Sequence, residues 1–460
     1  MRLSKGQATV IVLLNIIIAA LVAIVLFVPE IAPGISFGQP DSSGGGDKNT
    51  GGENPPVEQP HNKYRNASQG KTDKILRETR LMGSGDETVS AVYERGGVSY
   101  IFGNATVADL DFDSYGGFLC IVNAAGAIIR YEYFKGNITA VGVTGSGYAA
   151  AAFDNTSGTA KLYNIDYTGD VTEAAQPDGE VVDVFFVDSN KVAVVTMPLS
   201  TSLKLTEYSV VKGGQWTAGR STRIDSGYTL KYFDCYDFGG SYVIAARAHS
   251  LPRYDSAVFY SFTAGGDASA YYYGGANENI TRPYAVMPYP SGYFALAAKN
   301  GVATVITVDY SFTSYRSVSL GFVASDARLF FCDGKYYASF DRADGAITYR
   351  IDDDMSRTLL PALDGIFLDT VTDCGDIFMT GVTATLSGSK REFKSASFIV
   401  LDTGRAVDLS IENCVFYGAF KNGENYTCIL SATGGDALST PTGGRDIYVV
   451  SVASDAVRTD

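Results

Sequence analysis

Asp109, Asp111 and Asp113 alternate along one polar segment. Carboxylates at every second position can wrap a Ca²⁺ ion with oxygen ligands. Counted from Asp109, an EF-type loop needs Gly at its sixth place and Glu at its twelfth. Ser114 and Cys120 stand there instead. The run therefore reads as a solvated acidic loop, with calcium as the one cofactor it suggests. Tyr271, Tyr272 and Tyr273 precede Gly274-Gly275. Exposed Tyr rings stack on sugars or anchor protein partners, but Tyr is also a good strand former. Lys390, Arg391 and Lys394 make a basic patch in acidic surroundings. It would meet an anionic partner such as a wall polymer, or be a solvated loop tip. These two groups are the candidate binding residues, and the three aspartates the candidate metal ligands.

No catalytic residue is assigned. His249 is the only histidine after His61, with Ser250 and Asp255 nearby. A triad needs a specific geometry that sequence adjacency does not provide, and no nucleophile-elbow motif sits in a strand-turn-helix setting. Glycoside cleavage needs a carboxyl pair. Asp234 with Asp237, Asp352–Asp354, and Asp373 with Asp376 all read as turn residues, where Asp is favoured for backbone reasons. The six cysteines (120, 235, 332, 374, 414 and 428) show no metal-binding spacing. Cys414 and Cys428 flank one hairpin, where a cross-strand disulfide and two buried thiols are both open.

The composition limits what these residues can serve. The formal charge is -14, and residues 1–74 hold seven Lys plus Arg against six Asp plus Glu. The acidity thus belongs to the remainder, which argues against a nucleic-acid partner. Two histidines exclude a histidine-rich metal site. With 46% apolar residues the chain can bury a core.

Residues 1–7 carry Arg2 and Lys5, and an apolar run follows from Ala8 to Val28. About 20 apolar residues span a bilayer as a helix. Pro29-Glu30 follows directly, and no small-x-small cleavage site is evident. The run is read as an uncleaved transmembrane signal anchor, N-terminus inside, on the cell membrane. Residues 29–74 hold six of the 14 prolines and several Gly/Ser stretches. They read as a flexible linker, and residues 75–460 as the folded domain.

From Ile75 onward, short β-rich runs alternate with Gly, Asp and Asn turns. No amphipathic helix is evident. A four-strand unit recurs, with first strands starting near Thr88, Ile138, Val181, Thr229, Thr281, Phe322, Ile366 and Asn413. The starts lie 41 to 52 residues apart, the spacing of β-propeller blades. The last unit runs out of chain before a fourth strand, and Ile75–Leu81 precedes the first unit without a partner. The expectation is that this run completes the last blade, closes the ring and removes a free edge. An all-β propeller of eight blades results. Seven blades would need about 55 residues each and leave one start over. The second-to-third-strand loops should gather on the binding face: Asn104–Gly116, Ala246–Asp255, Ala384–Lys394 and Thr433–Arg445.

The first unit contains Gly83-Ser84-Gly85-Asp86, Gly96-Gly97, Gly116-Gly117 and a Val/Ile-rich strand. The last contains Gly434-Gly435-Asp436 and Gly443-Gly444-Arg445-Asp446, and the seventh Gly375-Asp376 with Phe398–Asp402. These units resemble the bacterial extracytoplasmic β-propeller repeat. The resemblance implies fold and export, and no particular activity. The functional expectation is a membrane-anchored extracytoplasmic module that binds an envelope protein or polysaccharide. The alternative is a cell-envelope carbohydrate-active enzyme.

Overall fold

The computed structural model describes residues 67–453, except 82–84, 107–115, 238–240, 251–253, 263–265, 274–280, 333, 353–355, 361–362, 365, 374–376, 388–389, 401–404, 434–437 and 439–444; over 361–407 only the backbone is described. The anchor run Ala8–Val28, the linker as far as Asn66, and Asp109, Asp111 and Asp113 lie outside the described residues. Among the described residues no helix is long and apolar enough to cross a membrane.

Every described strand belongs to one of eight antiparallel sheets. Their first strands are Glu87–Arg95, Asn137–Thr144, Glu180–Asp188, Thr229–Asp237, Thr281–Tyr289, Asp326–Cys332, Ile366–Asp373 and Val415–Asn422. In seven of the sheets the chain steps from this strand outward in sequence order. Each first strand touches the first strand of the next sheet, and the series returns from Val415–Asn422 to Glu87–Arg95. That cycle is the architecture of a β-propeller, with the first strands innermost.

The middle strands explain why the sequence folds this way. Gly116–Val122 is buried at all seven positions, and Gly292–Lys299 at all but its last. A strand buried on both faces reads as a continuous apolar run. The outer strand Thr217–Asp225 instead exposes every second residue or more. The core lies in the seams between sheets. Tyr100, Phe102 and Leu119 of the first sheet pack on Ile138, Tyr148 and Ala150 of the second. Val195, Leu203 and Leu205 of the third pack on Tyr242, Ile244 and Tyr260 of the fourth.

The last sheet is completed from the other end of the chain. Ile75–Leu81 pairs antiparallel with Asp446–Val452, from Ile75↔Val452 to Leu81↔Ile447. Ile75 and Leu81 are fully buried, one on each side of the sheet. The fold also begins earlier than residue 75. Ser68 and Gln69 pair with Glu78 and Arg77 as a fifth strand, and the Lys74 ammonium donates to the Asp408 carbonyl at 2.7 Å. The tail of the expected linker is thus part of the domain.

Three other expectations shift. Phe322 lies in the outer strand Tyr315–Val323 of the fifth sheet, and the sixth sheet starts at Asp326. Ala246–Asp255 is mostly strand, because Tyr242–Ser250 and Tyr254–Phe262 pair almost to their turn. Ala384–Lys394 likewise belongs to two long strands, Ile377–Ser387 and Lys390–Val400. Both stretches mix polar and charged residues with few apolar ones, a composition that a hydrophobic-pattern reading takes for loop.

All innermost strands but Asp326–Cys332 carry a register shift near their start, as between Val181 and Asp183 or Tyr232 and Asp234. One extra residue there bends the strand and re-aims its side chains. Gly142 sits on the second innermost strand against the third. A Cβ on it would lie 1.8 Å from the Val184 carbonyl oxygen.

Two measurements check this account. Deleting residues 67–81 should cost roughly 4 kcal/mol or more, since Ile75 and Leu81 alone contribute about 2 kcal/mol each by burial; an unchanged melting temperature would mean that this pairing does not hold the ring. Gly142→Ala should cost about 1–3 kcal/mol through overpacking, read as a lower denaturant midpoint at unchanged m-value.

Candidate functional site

The described residues enclose a cleft of about 670 Å³ between the first and second sheets. It opens on the face expected for binding. Its walls come from the start of a third strand at Gly116, the link Phe134–Asn137 between the sheets, and the hairpin Phe153–Ser157.

Glycine makes the cleft. Gly136 has φ +94°, and a Cβ there would lie 2.5 Å from the Phe153 carbonyl. No L side chain fits either constraint. The chain can therefore turn from Phe134 into Asn137 in two residues and hold the hairpin close. Gly117 N–H donates to the Gly136 carbonyl at 2.7 Å. Asn104 clamps the same junction from the second strand: its Oδ1 accepts from Ile138 N–H at 2.7 Å, and its Nδ2 donates to the Ile138 carbonyl at 3.1 Å.

The floor is aromatic. Phe134 is buried and packs edge-on against Tyr163 at 5.0 Å. Tyr133 and Phe153 are half-buried. The rim is polar and exposed: Lys135, Asn137, Asn155, Thr156 and Ser157. Among the described residues, Asp154 is the one carboxylate in the lining. It accepts from Thr156 N–H at 2.9 Å and Ser157 N–H at 3.4 Å, and pairs with the Lys135 ammonium at 3.2 Å. These bonds, those from Thr156 and Ser157 foremost, lower its pKa to about 2. Asp154 is thus ionised at neutral pH and spent on its own turn. It is a poor general acid or base. The described lining of the cleft presents ring faces, amides and hydroxyls.

The singled-out residues that the structure describes lie elsewhere. Tyr271, Tyr272 and Tyr273 are on the outer strand Ala268–Tyr273 of the fourth sheet. Two are packing residues. Tyr271 stacks on Phe312 at 4.5 Å, and Tyr273 is buried and donates to the Phe312 carbonyl at 3.2 Å. Tyr272 is exposed, edge-on to the exposed Tyr228 at 6.0 Å. Lys390, Arg391 and Lys394 lie on the strand Lys390–Val400; Lys390 is opposite Ser387 and Arg391 opposite Leu386, while Lys394 falls at a register shift. They are strand residues, not a loop tip. His249 is opposite Thr229 and Asp255 in its sheet and exposed. Cys428 is opposite Ala419 rather than Cys414, and both cysteines are buried thiols, so the hairpin is not bridged. Among the described residues no three His, Cys, Asp or Glu gather as metal ligands.

The structure adds an acidic pair that the sequence hid. Asp183 and Asp234 lie on adjacent innermost strands, and Asp234 is a strand residue rather than a turn residue. The Tyr232 hydroxyl donates to Asp183. Burial pushes Asp183 up to about 6 and raises Asp234 as well. The only cue was Asp within an otherwise apolar run at both places.

No protein-family model matches the chain, and no curated protein matches it in sequence. Solved structures resemble it at low identity. The β-propeller domain of the Trilobed protease from Pyrococcus furiosus is 10% identical, with 72% of this chain and 98% of that one covered and a TM-score of 0.42. The acylaminoacyl peptidase of Pyrococcus horikoshii is 10% identical, with 75% and 57% covered and a TM-score of 0.45. The virginiamycin B lyase of Staphylococcus aureus is 12% identical, with 69% and 94% covered and a TM-score of 0.41. At such identities a likeness speaks of fold alone, and the fold rests here on the strand pairing.

The Asp154 carboxyl should titrate near 2 when followed by carboxyl-carbon resonances. Lys135→Ala should raise that value only part of the way, because the backbone donors of Thr156 and Ser157 remain. A return to the ordinary range in that variant would mean that the ion pair, not the turn, holds the charge.

Proposed function

We propose that this chain is a membrane-anchored, outward-facing recognition module. It binds a carbohydrate segment of the cell envelope in the cleft between Tyr133, Phe153 and Asp154. The observation that carries the reading is the composition of that cleft: half-buried aromatic rings below, and a rim of amides and hydroxyls around one carboxylate already committed. Sugars present apolar ring faces and many hydroxyls, and ring stacking with convergent polar groups suits both. The cavity volume is within the usual range for small ligands.

The apolar run Ala8–Val28 and the Pro/Gly/Ser-rich stretch after it supply the anchor and tether in this reading. The repeats that resemble bacterial extracytoplasmic propellers agree with export. The enzyme alternative has less support from the described lining of this cleft, because glycoside cleavage calls on two carboxyl groups and the described lining residues include one.

The test uses full-length protein in detergent, titrated with soluble cell-wall polysaccharide fragments by calorimetry. Saturable binding is expected, without release of reducing ends. Phe153→Ala and Tyr133→Ala should each weaken it about threefold to tenfold, the loss of one aromatic contact of about 0.5–1.5 kcal/mol. Binding untouched by both changes would move the ligand elsewhere on the domain. Absence of saturable binding would turn the reading toward an envelope protein partner, to be captured by crosslinking in cells.

A further inference from the structure

Asp183 and Asp234 hold equivalent places on neighbouring innermost strands, each directly after the register shift. Both are half-buried. Tyr232, two residues before Asp234, donates its hydroxyl across the seam to Asp183. Asp234 itself accepts from Cys235 N–H at 2.8 Å. A carboxyl group and a phenol thus meet where the third and fourth sheets join, with the second carboxyl two residues along the phenol's strand and within electrostatic reach of the first.

We propose that Asp183, Tyr232 and Asp234 form a proton-operated clasp between the third and fourth sheets, closed while Asp183 holds a proton and loosened when both carboxyl groups are ionised. The surroundings favour a retained proton. Among the described residues, Tyr93 of the first sheet, with Tyr232, Asp234 and the buried Cys235 of the fourth, are the titratable groups that act with Asp183. None carries positive charge. The intervening strand Asn137–Thr144 has no ionisable side chain. Among charged residues on the elements packed around it, Lys191 is opposite Asp188 at the far end of its hairpin. Lys231 lies over the Phe233 ring at 5.8 Å, and Lys161 pairs with Glu173 at 2.6 Å. On the strand behind, Asp154 is held by Lys135 and its own turn, and Tyr148 packs on Tyr100 at 4.9 Å. The nearby Asp234 carboxyl opposes ionisation of Asp183 as a like charge.

The sign follows from linkage. Burial first, then the nearby Asp234, raises Asp183 to about 6, against about 3.9 in an unfolded chain. Its contribution to stability is whole below about 4 and is lost as pH rises through about 6. Solvent reaches the half-buried group and trims the effect. The unfolding equilibrium should therefore shift by about tenfold to a hundredfold between pH 4 and pH 8 on account of this residue.

The experiment is urea unfolding of the full-length protein in detergent from pH 4 to pH 8, wild type against Asp183→Asn. The variant should lose that tenfold-to-hundredfold slope and be at least as stable as wild type at pH 8. An unchanged difference between the two proteins at every pH would overturn the clasp. Infrared difference spectra of the wild type give a second readout that needs no variant. A protonated carboxyl band that disappears as pH rises through about 6 is expected, and its absence at pH 5 would overturn the proposal. Asp234→Asn should move that titration to lower pH by removing the neighbouring charge, and an unmoved midpoint would sever the coupling.

Discussion

The structure depends on closing a ring of sheets, none of which can stand alone. The sheets whose side chains are described bury much of their middle strands on both faces, so each needs a neighbour on both sides. Only a cycle satisfies that for all of them at once. The cycle is shut by two strands from opposite ends of the chain, Ile75–Leu81 and Asp446–Val452. Ile75 packs into one seam and Leu81 into the other. The closing strand is thus a hydrophobic wedge as well as a hydrogen-bonded partner. The Ser68–Gln69 pairing and the Lys74 bond continue the closure toward the N-terminus. Together they bring the end of the low-complexity stretch onto the outside of the domain.

Much of this was legible in the sequence because burial leaves a direct trace. Fully buried middle strands read as apolar runs, and hairpins show their turn residues; Asn422-Gly423 does so, with Gly423 at φ +63°. The unpaired run before the first unit pointed to the closure for the same reason: an apolar strand without a partner cannot stay exposed. What the pattern did not reveal were features set by register. Asp326 opens the sixth sheet, yet Phe322 looked like the start, because an outer strand ending in Gly-Phe-Val has the composition of an inner one. The long hairpin around Ser387 and Lys390 is polar, so its pairing had no hydrophobic signature. Cys414 and Cys428 flank a hairpin in sequence, but a register shift after Phe416 puts Ala419 opposite Cys428.

The site was less legible than the fold, for a physical reason. A cleft between sheets is made from backbone proximity, and backbone proximity is permitted by glycine. Gly136 and Gly116 carry no chemistry of their own, so a search for reactive side chains passes over them. Conspicuous residues were often conspicuous for structural reasons. Tyr271 and Tyr273 are prominent in sequence because the seam between the fourth and fifth sheets is built of rings, in which Phe312 lies between Tyr271 and Tyr293. Tyr272 alone of the three faces solvent appreciably. Side-chain alternation along a strand accounts for the difference: neighbours in a run point to opposite faces.

Asp154 and Asp183 show how far environment outweighs residue type. Asp154 caps a surface hairpin, where two backbone N–H groups and an ammonium converge on it. Asp183 lies in the wall of the ring, with one phenol donor and a second carboxyl nearby. The donors outweigh desolvation in the first case, and desolvation outweighs the Tyr232 and Val184 donors in the second. The two carboxyls are consequently displaced in opposite directions from the same starting value. The fold makes this division. Hairpin turns at the rim offer orphan N–H groups that a carboxylate satisfies. Innermost strands commit their N–H groups to pairing with the strand behind, except where a bulge intervenes. A carboxyl on an innermost strand must therefore find side-chain partners or keep its proton. Tyr232 is too weak a donor to change that balance, because one neutral hydrogen bond contributes less than the burial of a charge costs. The rim is thereby suited to fixed charge and ligand contact, and the wall of the ring to a charge that comes and goes with pH.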